Sequence, residues 1–463
     1  MKSTRLLIAL ILFTVTAAAQ DNLPIIKSNV SSIDIKDGEV LKKNGWTLTP
    51  EAKPDVYEAA LINGNPHKVT FSTDVDSISF MVEEGKKYDF IIQWGDKLCY
   101  QQIVGIRFVP AAVFDKKYQA VHKGKTFIEI PEVYELVNIA IAMTPTGIAD
   151  KNLVYQETDY YKKMRQWFDK YQNHPVLSAL NTELKKNPNN YFTLKMDAYS
   201  FEFDKRNKIN KSKIYDRISW GRSNTLQPFL AQLQSFSEET NFRRFYKENR
   251  KIYDEQIAFY RDAANIAEMI KWLDKNFPKS NAYASYKVIF SPLVASNQSA
   301  NWFESNGFNE LQAHVNFPYP FKNNEFSEKS LIMSRGNIVF TELNHGYINP
   351  EGDKYADRIV KAISNRDRWV DKKMGSGYYR GGISAFNEYM NWGLVSLRFV
   401  DYAPRDEQDK MIAGINHMMT KVRGFPQFEA FDKFLVDLYR TRKPNQTIAD
   451  LYPQIIQWFE KNN

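Results

Sequence analysis

Residues 69–94 read VTFSTDVDSISFMVEEGKKYDFIIQW. Val69 and Phe71, then Ile78, Phe80 and Val82, then Tyr88, Phe90, Ile92 and Trp94 alternate with polar positions at period two, as strands with one buried face do. Glu83-Glu84-Gly85-Lys86 and Gly95-Asp96 supply turn chemistry behind the second and third runs and predict two hairpins. A small antiparallel sandwich or sheet is therefore expected from about Gln20 to Val113, within a β-sandwich-like domain of residues 20–120. Asp21 to Gly64 carries a weaker pattern, and no strand is assigned there.

Ahead of this region the chain begins with Lys2 and Arg5, continues with an apolar run from Leu6 to Phe13, and reaches small residues at Ala17-Ala18-Ala19. That order is a secretory signal peptide over residues 1–19, cleaved close to Gln20. The run falls short of the roughly 20 apolar residues a bilayer-spanning helix needs, and no later segment approaches that length. A periplasmic or secreted protein without a membrane span is expected. Cys99 is the single cysteine, so export brings no internal disulfide. With 463 residues, 43% of them hydrophobic, the chain has enough apolar surface to hold its fold by burial alone. The formal charge of +8 is spread among acidic residues, as in Glu238 to Glu255, without a basic block. A nucleic-acid partner is not expected.

Beyond Phe127 the spacing changes. Met164, Trp167, Phe168 and Tyr171 fall three and four residues apart, as do Phe242, Phe245, Tyr246, Ile252 and Tyr253. His174-Pro175, Asn187-Pro188, Phe277-Pro278 and Phe425-Pro426 interrupt the pattern. Residues 121–463 are therefore expected to be mainly helical, ending in a helix capped by Thr447 that carries Leu451, Ile455, Trp458 and Phe459. The fold class is α+β.

The chemistry concentrates in residues 337–350, NIVFTELNHGYINP. A helix ending at Asn349-Pro350 places Thr341 and His345 on one face with Glu342 beside them. This is the geometry of the zinc-peptidase helix H-E-x-x-H, where two histidines bind the metal and the glutamate deprotonates its water. Thr341 stands where the first histidine belongs.

The region from Phe127 onward resembles a family of exported bacterial proteins of unknown function predicted to be zinc metallopeptidases of the gluzincin-like H-E-x-x-H type, with the motif H-E-F-x-H-x-F-V-N-P. The match falls on Glu342, His345, Asn349 and Pro350 and fails at Thr341. Ile130 to Leu136, Asn241 to Tyr246 and Phe290 to Val294 look like the same family, and Asp76 to Phe80 with Tyr88 to Phe90 resemble a β module found ahead of exported hydrolase domains. The resemblance implies a metallopeptidase-like domain with Glu342 as the catalytic base and His345 as a metal ligand. A downstream glutamate, matched here by Glu388, completes the family's metal shell.

Ligand counting then sets the expectation. With Thr341 in place of histidine the site offers one imidazole and one carboxylate, so zinc is weakly held or absent. Thr341→His should restore strong binding. His314 and His417 are the histidines that could replace the lost ligand, and Tyr378, Tyr379 and Ser291 are the groups from which another hydrolytic arrangement could be built. Three functions stay open: a metallopeptidase-like hydrolase with a degenerate site acting on a peptide or protein, a non-catalytic peptide- or glycan-binding envelope protein, and a purely structural envelope protein.

Overall fold

The computed structural model describes residues 23–51, 53–278 and 283–463, and the expected signal peptide lies outside the described residues. The fold is α+β, strand-rich at first and mainly helical afterwards. Two compact units form, one ending at Pro110 and the other spanning Ala111–Asn463.

The first unit holds eight strands: β1 (Ile25–Ser28), β2 (Ser32–Asp37), β3 (Val40–Thr47), β4 (Asp55–Ile62), β5 (His67–Ser72), β6 (Ser77–Val82), β7 (Lys87–Trp94) and β8 (Lys97–Phe108). They make two sheets, ordered β1-β7-β8-β4 and β3-β2-β5-β6. Val69 and Phe71 from one sheet share a core with Phe90, Ile92 and Cys99 from the other, and the Phe71 and Phe90 rings meet edge to face at 5.1 Å. Of the two expected hairpins, Gly95-Asp96 closes β7 onto β8, with Trp94 opposite Lys97 and Gly95 in the left-handed conformation at φ +58°. The Glu83–Lys86 turn does not make a hairpin. β6 pairs with β5 and β7 pairs with β8 and β1, so this turn carries the chain from one sheet to the other. Turn residues specify reversal, while the choice of ladder follows from burying Val82 and Phe90 in one interior.

Four strands also lie in the segment left unassigned. β4 is alternately buried at Tyr57, Ala59 and Leu61, but Val56 and Ile62 on its outer face are apolar as well, which hides the period. β3 is an edge strand exposed along nearly all its length.

The second unit is built on a sheet ordered β13-β14-β12-β9, from β9 (Lys125–Glu129), β12 (Ser285–Ser291), β13 (Ser299–Ser305) and β14 (Phe308–Asn316). A separate short ribbon pairs β10 (Phe201–Phe203) with β11 (Ile209–Lys211). β12 runs parallel to β9 and β14, and β13 is an antiparallel edge. Among the helices around the sheet are α1 (Glu132–Met143), α2 (Asn190–Asp197), α3 (Asn337–Asp353), α4 (Gly382–Tyr402), α5 (Phe428–Thr441) and α6 (Ile448–Lys461). Helix α1 packs on β12, α3 packs on β13 and β14, and α4 lies between α3 and α5. Both sheet faces are covered, so β12 is buried along its whole length. One face meets α3 through the Tyr286 and Tyr347 hydroxyls, 2.6 Å apart. On the other, Lys287 Nζ donates to Tyr199 at 2.6 Å, and Glu310 accepts from Tyr118 at 2.6 Å and from Tyr215 at 2.5 Å.

Helix α3 does not stop at Asn349-Pro350 but continues to Asp353 with Pro350 inside it. Proline lacks the N–H that would bond the carbonyl four residues earlier, which belongs to Gly346. The Tyr283 hydroxyl donates to that carbonyl at 3.0 Å instead, so the helix passes the proline without an orphaned acceptor. A Cβ at Gly346 would stand 2.9 Å from the Tyr283 ring, and glycine makes this approach possible.

Candidate functional site

Glu342 and His345 from α3, together with Thr341, line one cleft with Glu388 from α4. The cleft has a volume of about 820 Å³, and β13 residues Ser299 to Trp302 form part of its wall. The four residues singled out in the sequence therefore come together. The two helices are held in register across the cleft by Asn344 Nδ2, which donates to the Asn391 carbonyl at 3.2 Å.

Thr341 is buried and its hydroxyl donates to the Ile338 carbonyl at 2.8 Å, a helical back-bond that occupies its proton. His345 is half-buried. Its Nε2 accepts from Asn391 Nδ2 at 3.1 Å, which leaves the proton on Nδ1, 3.4 Å from Asn349 Oδ1. Glu388 is 3% exposed and its Oε1 takes two donors, Arg423 Nη1 at 2.6 Å and Trp392 Nε1 at 3.0 Å. Burial pushes the Glu388 carboxyl up, but Arg423, His345 and the two hydrogen bonds outweigh it and hold the group below the ordinary glutamate range. The second Arg423 nitrogen, Nη2, donates to the Tyr379 hydroxyl at 2.9 Å, and the guanidinium lies 5.4 Å from the centre of the Trp392 ring.

Glu342 differs from Glu388. No hydrogen bond reaches its carboxylate among the described residues, and withdrawal from water pushes it up to about 7. Glu388 adds to that rise, while His345, Lys195 and Arg423 oppose it. Lys195, on α2 and fully buried, donates to the Asn297 carbonyl at 2.7 Å and is itself drawn down to about 7 by burial.

These donors do not fit a three-ligand zinc site. Thr341 offers only a neutral hydroxyl, a poor substitute for imidazole, His345 Nε2 faces an amide N–H, and the Glu388 carboxylate already carries a protein cation. Among the described residues no three His, Cys, Asp or Glu side chains gather as a metal-holding group. Neither alternative histidine lines the cleft. His314 is buried on β14 against the Tyr134 ring, and His417 is exposed. Of the other groups weighed, Tyr379 lines the cleft as a partner of Arg423, Tyr378 is 87% exposed outside it, and Ser291 is buried at the end of β12.

Arg423, Asn391 and Trp392 are among the site residues that sequence reasoning missed, with Lys195, Trp220, Ser299 and Trp302. Asn391 and Trp392 stand three and four residues after Glu388 on α4, a spacing that marks one helix face. Arg423 sits in a tight turn before Gly424, which adopts φ +83°, and carries no spacing signal. No family model, curated protein or solved structure matches the chain.

Proposed function

We propose that this chain is an exported relative of the zinc metallopeptidases in which a protein-only network has taken over the metal shell, leaving a cleft that binds a peptide or glycan without hydrolysing it. The observation that carries the reading is the Arg423 guanidinium on Glu388 at 2.6 Å. A carboxylate so paired is neutralised where a zinc ligand would need its charge free for the metal. With Thr341 as well, zinc is weakly held or absent in this reading, and Glu342 has no metal-acidified water to deprotonate. The amino-terminal order of charged, apolar and small residues supports export to the periplasm or beyond.

A second reading, weak residual hydrolysis, is favoured by Glu342 alone. A carboxyl pushed up to about 7 and unbound by the protein is poised as a general base near neutral pH.

The test purifies the protein without chelator or added metal, measures zinc content, and follows hydrolysis of a fluorogenic peptide library by wild type and Glu342→Gln. Substoichiometric zinc and no turnover above Glu342→Gln are expected. Stoichiometric zinc with Glu342-dependent turnover would sink the binding reading.

A further inference from the structure

We propose that the ligand of this cleft is a neutral oligosaccharide, its sugar rings stacked on Trp220 and Trp302 and its hydroxyls bonded to Asn391, Ser299 and Arg423. The inference rests on the reading of the cleft as a non-hydrolytic binding site and names the class of ligand it takes.

Two indoles stand open on the cleft wall, and they come from different elements. Trp220 lies nine residues beyond the end of β11 and is 57% exposed, and Trp302 lies on edge strand β13 and is 40% exposed. A single apolar ring in water is ordinary, but two indoles lining one cleft offer flat faces to a ligand that has flat faces of its own. The C–H-bearing face of a sugar ring has that shape.

The cleft also lacks hydrogen-bond partners of a particular kind. Asn391 Oδ1 and Ser299 Oγ belong to side chains more than nine-tenths buried, both line the cleft, and neither atom has a partner among the described residues. The amide oxygen only accepts and the serine hydroxyl does both, so the missing partner donates in one place and gives or takes in the other. A run of hydroxyls meets both needs. Arg423 Nη1 donates to Glu388 and to Met419 Sδ, and Nη2 donates to Tyr379; of the five N–H groups of a guanidinium, the Nε–H and one on Nη2 remain for the ligand.

Charge and the wall strand favour a sugar over a peptide. Arg423 is matched by Glu388, so that guanidinium does not call for an anionic ligand. An extended peptide would pair with free backbone groups of β13, but the Trp302 N–H is taken by Asn301 Oδ1 at 2.9 Å, and Asn301 Nδ2 is tied to the Ile218 carbonyl at 2.6 Å.

The experiment titrates the full-length exported protein with cellotetraose, chitotetraose, xylotetraose and maltotetraose, by calorimetry and by tryptophan fluorescence, with a random peptide pool as a separate arm. Saturable binding of at least one of the four sugars is expected. Trp220→Ala and Trp302→Ala should each weaken it by about tenfold, as loss of a central aromatic contact does, with far-UV circular dichroism and thermal transition unchanged. Asn391→Leu should weaken it as well. Absence of saturable binding to all four sugars overturns the proposal, and so does sugar binding indifferent to both tryptophans. Peptide binding without turnover overturns the sugar but spares the binding cleft, whereas zinc-dependent peptide hydrolysis overturns both.

Discussion

Arg423 Nη1 donates to Glu388 Oε1 at 2.6 Å, joining a bend of the chain to the second turn of α4 through a residue that is 3% exposed. Removing the cation leaves a buried negative charge supported by the Trp392 N–H and the Tyr379 hydroxyl without a cation on its Oε1, and breaking such pairs costs about 3–5 kcal/mol. Arg423→Met should therefore destabilise strongly, while Arg423→Met with Glu388→Gln should recover part of the loss because no charge is stranded. Urea unfolding of the three proteins measures this. Equal losses in the single and double variants would show that the pair is not coupled.

The same bond revises what one restored histidine can do. Thr341→His returns an imidazole to the α3 face, yet Glu388 stays paired with Arg423 and His345 stays bonded to Asn391. A zinc ion would have to displace a guanidinium to gain its third ligand. Thr341→His alone should raise zinc affinity only modestly, and Thr341→His with Arg423→Met should raise it at least tenfold further. Calorimetric zinc titration decides, and a single variant that binds as tightly as the double one contradicts this.

How far the site was legible follows from what helical spacing can carry. Thr341, Glu342 and His345 were readable together because they lie within one turn and a half of a single helix. Glu388 was reached only through family resemblance, since no spacing links two helices that meet in space. Arg423 was illegible, because a lone arginine in a turn has no period and its role exists only once α4 has been placed. In the first unit β5 to β7 were readable from one-sided burial, whereas the outer apolar residues of β4 and the exposure of β3 erased the same signal. The four-stranded sheet of the second unit was hidden for the opposite reason: β12 is buried on both faces and has no alternation to show.

Tyr283 and Pro350 should behave as a coupled pair. The Tyr283 hydroxyl serves the Gly346 carbonyl because Pro350 has no N–H to offer it. Tyr283→Phe in the wild-type background orphans that carbonyl and should cost about 1–3 kcal/mol. In a Pro350→Ala background the alanine N–H reaches the same carbonyl, so Tyr283→Phe should cost much less. A double-mutant cycle by denaturant unfolding gives the coupling, and an equal cost in both backgrounds would refute the substitution of one donor for the other.

Asp432 should make the protein lose stability as the pH rises from mildly acidic to mildly alkaline. The residue lies on α5, fully buried, and burial pushes its carboxyl up to about 8 against hydrogen bonds from Ser396 and Asn416. Its Oδ2 accepts from Ser396 Oγ at 2.9 Å, while Asp432 Oδ1 and Asn416 Oδ1 have no partner among the described residues. In the unfolded chain the carboxyl returns to its ordinary value near 3.8, so between about 4 and 8 the folded state binds the proton and the unfolded state does not. Stability then falls with pH across that window, by at most about 1.4 kcal/mol per pH unit, and levels off above it. Glu135, pushed up to about 7 by burial, acts in the same direction, and Lys195, drawn down to about 7, acts in the opposite one above that pH. Asp432→Asn isolates the effect, because the amide has the size of the acid, cannot ionise, and keeps an oxygen to accept from Ser396. Urea midpoints at pH 5 and pH 8 should show a smaller decline for the variant than for wild type, and at pH 8 the variant should be the more stable of the two. A decline of the same size in both proteins would mean that Asp432 is ionised in the folded state.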